Sequence, residues 1–179
     1  MITSIPMALA AGSALLAAAI TFYIILFVFS KISNKSGIEK INSFISPMAW
    51  NLAFLISLFS LLGSLFFSEV LGFQPCVLCW YQRVFMYPLP LILYISMIKG
   101  EMTTRVHASL LAAIGALFAL YHYSIQVFPQ LRTISCEALG PVSCTEGYTF
   151  YFGFVSIPFM ALTAFIAVIV LLQISSSDA

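Results

Sequence analysis

Four cysteines, one arginine and one histidine are the reactive side chains of this sequence that stand in suggestive positions. Cys76 and Cys79 stand as Pro75-Cys76-Val77-Leu78-Cys79. Cys136 and Cys144 follow, with Glu137 to Ser143 between them. In a C-x-x-C pair the sulfurs are close enough to close a small ring, and one thiol can have a lowered pKa. An apolar segment begins directly after Cys79, so the pair is expected at a helix N-terminus. Unpaired N–H groups and the positive end of the helix dipole favour a thiolate there. Arg83 follows Cys79 by four residues and falls one turn deeper on the same helix face. A cation inside an apolar span is a candidate functional residue, here for stabilising a thiolate or an acceptor oxygen. Snorkelling of Arg83 to nearby headgroups is the plainer alternative. His122, in Leu120-Tyr121-His122-Tyr123, could donate to an acceptor oxygen or simply hydrogen-bond within a bundle.

The elements that must position these residues follow from composition. The 179 residues include only 7 Lys+Arg and 6 Asp+Glu, or 7% charged, while 62% are hydrophobic. A soluble domain carries about 25% charged residues. So few charges exclude a soluble enzyme, a nucleic-acid binder and a disordered chain, and the net charge of +1 implies no electrostatic partner. The chain reads as an all-α, multi-pass membrane protein. Crossing a ~30 Å hydrocarbon core takes about 20 apolar residues. Five spans are expected at 7–29, 45–67, 80–98, 107–128 and 153–173. Pro88 and Pro90 should kink the third. The small residues Ala8, Ala11, Gly12, Ala14 and Ala18 of the first span suggest tight helix packing, as do Ala112, Gly115, Ala116 and Ala119 of the fourth. The first positive charge, Lys31, comes after the first apolar run, whereas a signal peptide is basic before it, so that span is expected to be retained.

Lys31, Lys35 and Lys40 mark one loop, and Lys99 and Arg105 another, as cytoplasmic. The loops at 68–79 and 129–152, the second holding only Arg132, then face outward with the N-terminus, and the C-terminus lies inside. All four cysteines are placed on the outer side, where disulfides persist. Two pairs, one per outer loop, are the first expectation. Three readings stay open at this point: inert staples on a transporter or scaffold, a four-cysteine zinc site, and redox catalysis. No haem C-x-x-C-H is present, since Trp80 follows Cys79, and no dinucleotide fingerprint appears. A quinone dissolved in the lipid is therefore the natural electron acceptor for a redox site at a membrane edge.

The nine residues Pro75-Cys76-Val77-Leu78-Cys79-Trp80-Tyr81-Gln82-Arg83 resemble the signature of the DsbB-type disulfide bond formation proteins. The continuation Val84-Phe85-Met86-Tyr87-Pro88 is more similar to the short BdbC-type branch, as are Tyr121-His122-Tyr123-Ser124-Ile125-Gln126 and Phe152-Gly153-Phe154-Val155-Ser156-Ile157-Pro158. The resemblance covers about residues 45 to 173. It implies a four-helix bundle in the bacterial plasma membrane that reoxidises a DsbA-like thioredoxin-fold protein and passes electrons to the quinone pool, ubiquinone or menaquinone. Residues 41–179 would form that bundle, and residues 1–40 an additional N-terminal transmembrane helix and cytoplasmic loop. By motif, Cys76–Cys79 is the quinone-coupled pair, Cys79 faces the quinone with Arg83 assisting, and His122 lies near it. Cys136 would take the mixed disulfide with the partner, and Cys144 would exchange with Cys76. Two departures stand out. The well-known members separate the second cysteine pair by a much longer, partly amphipathic segment, so here a local Cys136–Cys144 bond has a short reach toward Cys76. The first span lies outside the four-helix core, as a peripheral helix or partner contact, and residues 1 to 30 hold no His, Cys or charge.

Overall fold

The computed structural model describes residues 4–33, 37–99, 104–131, 142–144 and 150–175. The loop residues 34–36 and 100–103, Arg132, Cys136 and the C-terminal tail lie outside them. The described chain is helical, with α1 (Ser4–Ser33), α2 (Gly37–Leu65), α3 (Val77–Met86), α4 (Pro88–Lys99), α5 (Thr104–Val127) and α6 (Ile157–Ile174). Four stretches are long and apolar enough to cross a membrane: Ser4–Ser30, Ile38–Val70, Thr104–Val127 and Ile157–Ile174. The expected span at 80–98 falls on α3 and α4 in series. The expected kink is a break at Tyr87. Pro88 has no N–H to continue the ladder, and the Tyr87 N–H closes α3 on the Arg83 carbonyl at 2.9 Å.

The element ends depart from the apolar windows in both directions. The helix α2 starts at Gly37 rather than 45, because Glu39 and Lys40 continue the helix beyond its apolar part. Its far end passes into a π-helical turn, Phe66–Val70. Gly72, at φ 70°, then reverses the chain toward Pro75 and Cys76. The last span starts at Ile157, later than the expected 153, because Tyr151 and Val155 pair across a tight turn. Phe152 and Gly153 hold that turn at φ 55° and 80°. Tyr123 of α5 donates to the Phe154 carbonyl at 3.2 Å and ties the turn to the bundle.

Helices α2, α5 and α6 form the most extensive contacts, with α3 against α5 and α4 against α2. The core holds Ala53, Met86, Leu89, Leu93, Ala108, Ala112, Ala119, Ala164, Phe165, Val168 and Leu172. In lipid, close packing rather than burial from water holds such helices together. The small residues of α5 serve this role as expected: a methyl added at Gly115 would overlap the Phe165 ring of α6. Phe118 of α5 stacks on Tyr81 at 5.0 Å and on Phe85 at 5.6 Å, which fixes α3 beside α5 one turn from His122. The small residues of α1 depart from expectation. Ala10 is buried against the bundle, but Ala8 and Gly12 are exposed, and a Cβ at Gly12 would meet nothing within 4 Å.

Candidate functional site: a dithiol between an imidazole and an apolar cavity

The loop leaving the π-turn delivers Cys76 as the residue before α3, with extended backbone at φ −71° and ψ 172°. The Trp80 N–H bonds back to the Cys76 carbonyl at 3.1 Å, so the helix starts within the C-x-x-C motif. The pair thus stands at the N-terminus of α3, as its position before the apolar segment leads one to expect. Both cysteines are free, Cys76 buried and Cys79 half-buried. Their sulfurs stand 3.4 Å apart, close enough for the pair to close with little movement.

On one side of the dithiol lies His122 of α5. Its Nε2 is 3.6 Å from the Cys76 Sγ and 3.2 Å from the Cys144 carbonyl oxygen. A carbonyl only accepts, so Nε2 carries the hydrogen and is shared between that oxygen and the Cys76 sulfur. The Gln82 side-chain amide reaches Nδ1 at 2.9 Å. Its N–H donates into that nitrogen, and rotation of the amide would instead accept from a protonated ring. Gln82 and His122 are both buried.

Cys76, which precedes the membrane-spanning part of α3, has its pKa lowered to about 4. The S–H of Cys79 is the main cause. Burial opposes the shift, and the hydrogen bond from His122 adds to it. The imidazole is a second donor to Cys76, so the shared proton of the pair rests on Cys79 and the negative charge on Cys76.

The other side of the dithiol faces a mostly apolar cavity of about 320 Å³, walled by α1, α2, α3 and α6. That lies in the range of small-molecule sites, ~300–1,000 Å³. Cys79, Gln82, Arg83 and Tyr87 line it; His122 does not. Arg83 donates from Nη2 to the Ser64 carbonyl of α2 at 3.1 Å, and its guanidinium lies 5.2 Å from the Trp80 ring centre. Tyr87 donates to the Ser64 hydroxyl at 3.3 Å. The guanidinium is therefore engaged with α2 and with the Trp80 ring. A flat apolar ring bearing oxygen acceptors fits this combination of apolar walls, one thiol and one guanidinium.

Cys144 is buried and disulfide-bonded. It packs in one cluster with Cys76, Leu78 and Ile125. The Cys144 end of the short second loop therefore lies beside Cys76, with the His122 Nε2 reaching the Cys76 sulfur and the Cys144 backbone carbonyl. Cys136 lies outside the described residues. Gln82 went unweighed as a site residue in the sequence. The available signal was a lone amide in an apolar span, three residues after Cys79.

A multi-pass helical membrane protein carrying a buried C-x-x-C dithiol beside an apolar cavity defines the class. The sequence profile described as "Disulfide bond formation protein DsbB" matches residues 46–174, and the chain belongs to that family. It is 47% identical over 118 residues to the "Probable disulfide formation protein C" of Halalkalibacterium halodurans, covering 66% of this chain and 85% of that protein. It is 44% identical over 134 residues to the "Probable disulfide formation protein C 1" of Bacillus cereus, covering 75% and 93%. With the "Disulfide bond formation protein C" of Bacillus subtilis it shares 42% over 118 residues, covering 66% and 85%. These relatives agree with the BdbC-type branch. No solved structure matches the chain.

Proposed function

We propose that this protein is a thiol:quinone oxidoreductase that generates disulfides and reoxidises a DsbA-like thioredoxin-fold partner outside the plasma membrane. The observation that carries the reading is the placement of Cys79 and Arg83 together on the wall of the apolar cavity, with Cys76 3.4 Å behind. Bound there, a quinone supplies a two-electron, two-proton acceptor soluble in the lipid. Cys79 and Arg83 would hold it at the dithiol end, and Tyr87 and the walls of α2 and α6 along its face.

The protein's own steps are thiolate exchanges. The reduced partner's thiolate attacks the Cys136–Cys144 bond at Cys136, and the partner leaves oxidised. Cys144 then attacks Cys76 of the Cys76–Cys79 disulfide, and Cys136 closes back on Cys144. This leaves Cys76 and Cys79 as the dithiol. His122 holds Cys76 as a thiolate through Nε2–H, and Gln82 orients the ring. Cys79 gives up its proton and electrons at the cavity, and Arg83 stabilises the negative charge that develops. The S–S bond between Cys76 and Cys79 would form as the two electrons leave for the acceptor. The Cys79 S–H supplies one proton, and the proton released when Cys76 became a thiolate returns through solvent as the second. Over the cycle two partner thiols become one disulfide, and two electrons and two protons reduce one quinone to quinol. In this reading both cysteine pairs face the extracytoplasmic side, a sidedness supported by the basic loops, and residues 1–40 are appended to a redox bundle of residues 41–179.

The test is quinone absorbance during turnover of the purified protein with a reduced thioredoxin-fold partner. Turnover should vanish in Cys79→Ser and in Cys136→Ser. Full turnover in Cys79→Ser would exclude the mechanism and favour structural disulfides. Loss in Cys79→Ser alone would remove the second pair from the pathway.

A further inference from the structure

The helix α1 precedes the family match, which begins at residue 46, yet it supplies one wall of the cavity. Ala8, Leu9, Gly12, Ser13 and Leu16 line it from this helix. They recur at three- and four-residue spacing, which is a single helical face. The helix reaches the bundle at two places near this face: Ala10 is fully buried, and the Leu9 Cδ1 lies 3.7 Å from where a Gly63 Cβ would stand. Just beyond these contacts the backbone at Gly12 stands back from its neighbours, with nothing within 4 Å of an added Cβ. The gap so left is part of the cavity that Cys79 and Arg83 line on its opposite wall.

We infer that α1 is a specificity-determining part of the acceptor site, its Leu9–Gly12–Leu16 face packing against the ring edge and first tail unit of the bound quinone. The inference rests on the quinone reading of the same cavity. Without α1, the space between α2, α3 and α6 would open sideways to lipid, and apolar acceptors of many shapes would reach Cys79. With α1 present, space at Gly12 sets how wide an acceptor is admitted. The residues concerned carry no group that exchanges electrons or protons, so they act on binding alone.

The experiment compares full-length wild type with Gly12→Leu, Ala8→Leu and Ala18→Leu. Ala18 is on α1 and exposed but lines no part of the cavity, so its variant is the control. Binding of decylubiquinone to the purified protein in detergent is read by quenching of tryptophan fluorescence, and turnover is read separately. Gly12→Leu should weaken binding and raise KM by about tenfold or more, a readily resolved change. Ala8→Leu should do so to a lesser degree, and Ala18→Leu should match wild type. Thiol–disulfide exchange between the partner and the cysteines should be the same in all four proteins, which also shows that the variants fold. Wild-type affinity and KM in both Gly12→Leu and Ala8→Leu would overturn the role of α1 while leaving the quinone reading intact. Failure of wild type itself to bind or reduce decylubiquinone would remove the quinone reading and this inference with it.

Discussion

At the scale of residues, the site is a charge-separated dithiol with a donor on each side. Cys76 takes hydrogen bonds from Cys79 and His122, and Cys79 faces the cavity with Arg83. The lowered pKa of Cys76 has a direct consequence for its pH dependence. A thiol at its ordinary value would be protonated at pH 6, whereas Cys76 should remain a thiolate there and lose its charge only near pH 4. Thiolate absorbance near 240 nm in the reduced protein measures this. The midpoint should rise in His122→Phe and rise further in Cys79→Ala, because the Cys79 hydrogen bond is the larger cause. Gln82→Leu should give a smaller rise through the misoriented imidazole; an unchanged midpoint would deny Gln82 a positioning role. Arg83→Met should slow quinone reduction about 100-fold, the usual scale for removing a donor to a developing oxyanion, while leaving partner exchange intact. Cys76, Cys79 and His122 also hold donor atoms within 4.8 Å of one another, a set that could hold a metal ion. Dialysis against EDTA should leave turnover unchanged; loss restored by Zn²⁺ would favour the metal reading.

At the scale of elements, what was legible in the sequence was whatever has a one-dimensional signature. Charge-free windows located the crossings, and the Pro88–Pro90 pair marked the break between α3 and α4. The C-x-x-C spacing before an apolar run placed Cys76 at the N-terminus of α3. The boundaries were less legible, because hydropathy marks the part of a helix in lipid and not where its hydrogen bonding ends, as the start of α2 at Gly37 illustrates. Contacts between distant segments were not legible at all. Nothing in sequence spacing joins Gln82 to His122, Ser64 to Arg83, or Cys144 to the dithiol. The same limit applies to α1, whose small residues read equally well as packing or as open wall. In α5 the packing reading holds. Gly115→Ala should destabilise the α5–α6 contact by about 1–3 kcal/mol, the usual range for overpacking, with Phe165 forced aside. Thermal unfolding in detergent measures this, and stability equal to wild type would show that the two helices yield without strain.

At the scale of the whole molecule, the bundle separates two surfaces of one dithiol. On the proposed function, partner electrons would arrive on the Cys144 side of the dithiol and leave through the cavity between α1, α2, α3 and α6. Exchange with an outside partner requires both cysteine pairs to face outward. A cysteine introduced at Ser36 of a cysteine-free variant should be shielded from a membrane-impermeant maleimide in intact cells, and one introduced at Glu69 should react; the reverse pattern would invert the topology. If one Cys76–Cys79 dithiol reduces one quinone across the cavity wall, then mixing the anaerobic protein, with only that pair reduced, with one equivalent of quinone should yield one quinol per protein with loss of two thiols, and no quinol in Cys79→Ser. Quinol formed without thiol loss, or thiols unchanged in the presence of excess quinone, would rule this transfer out.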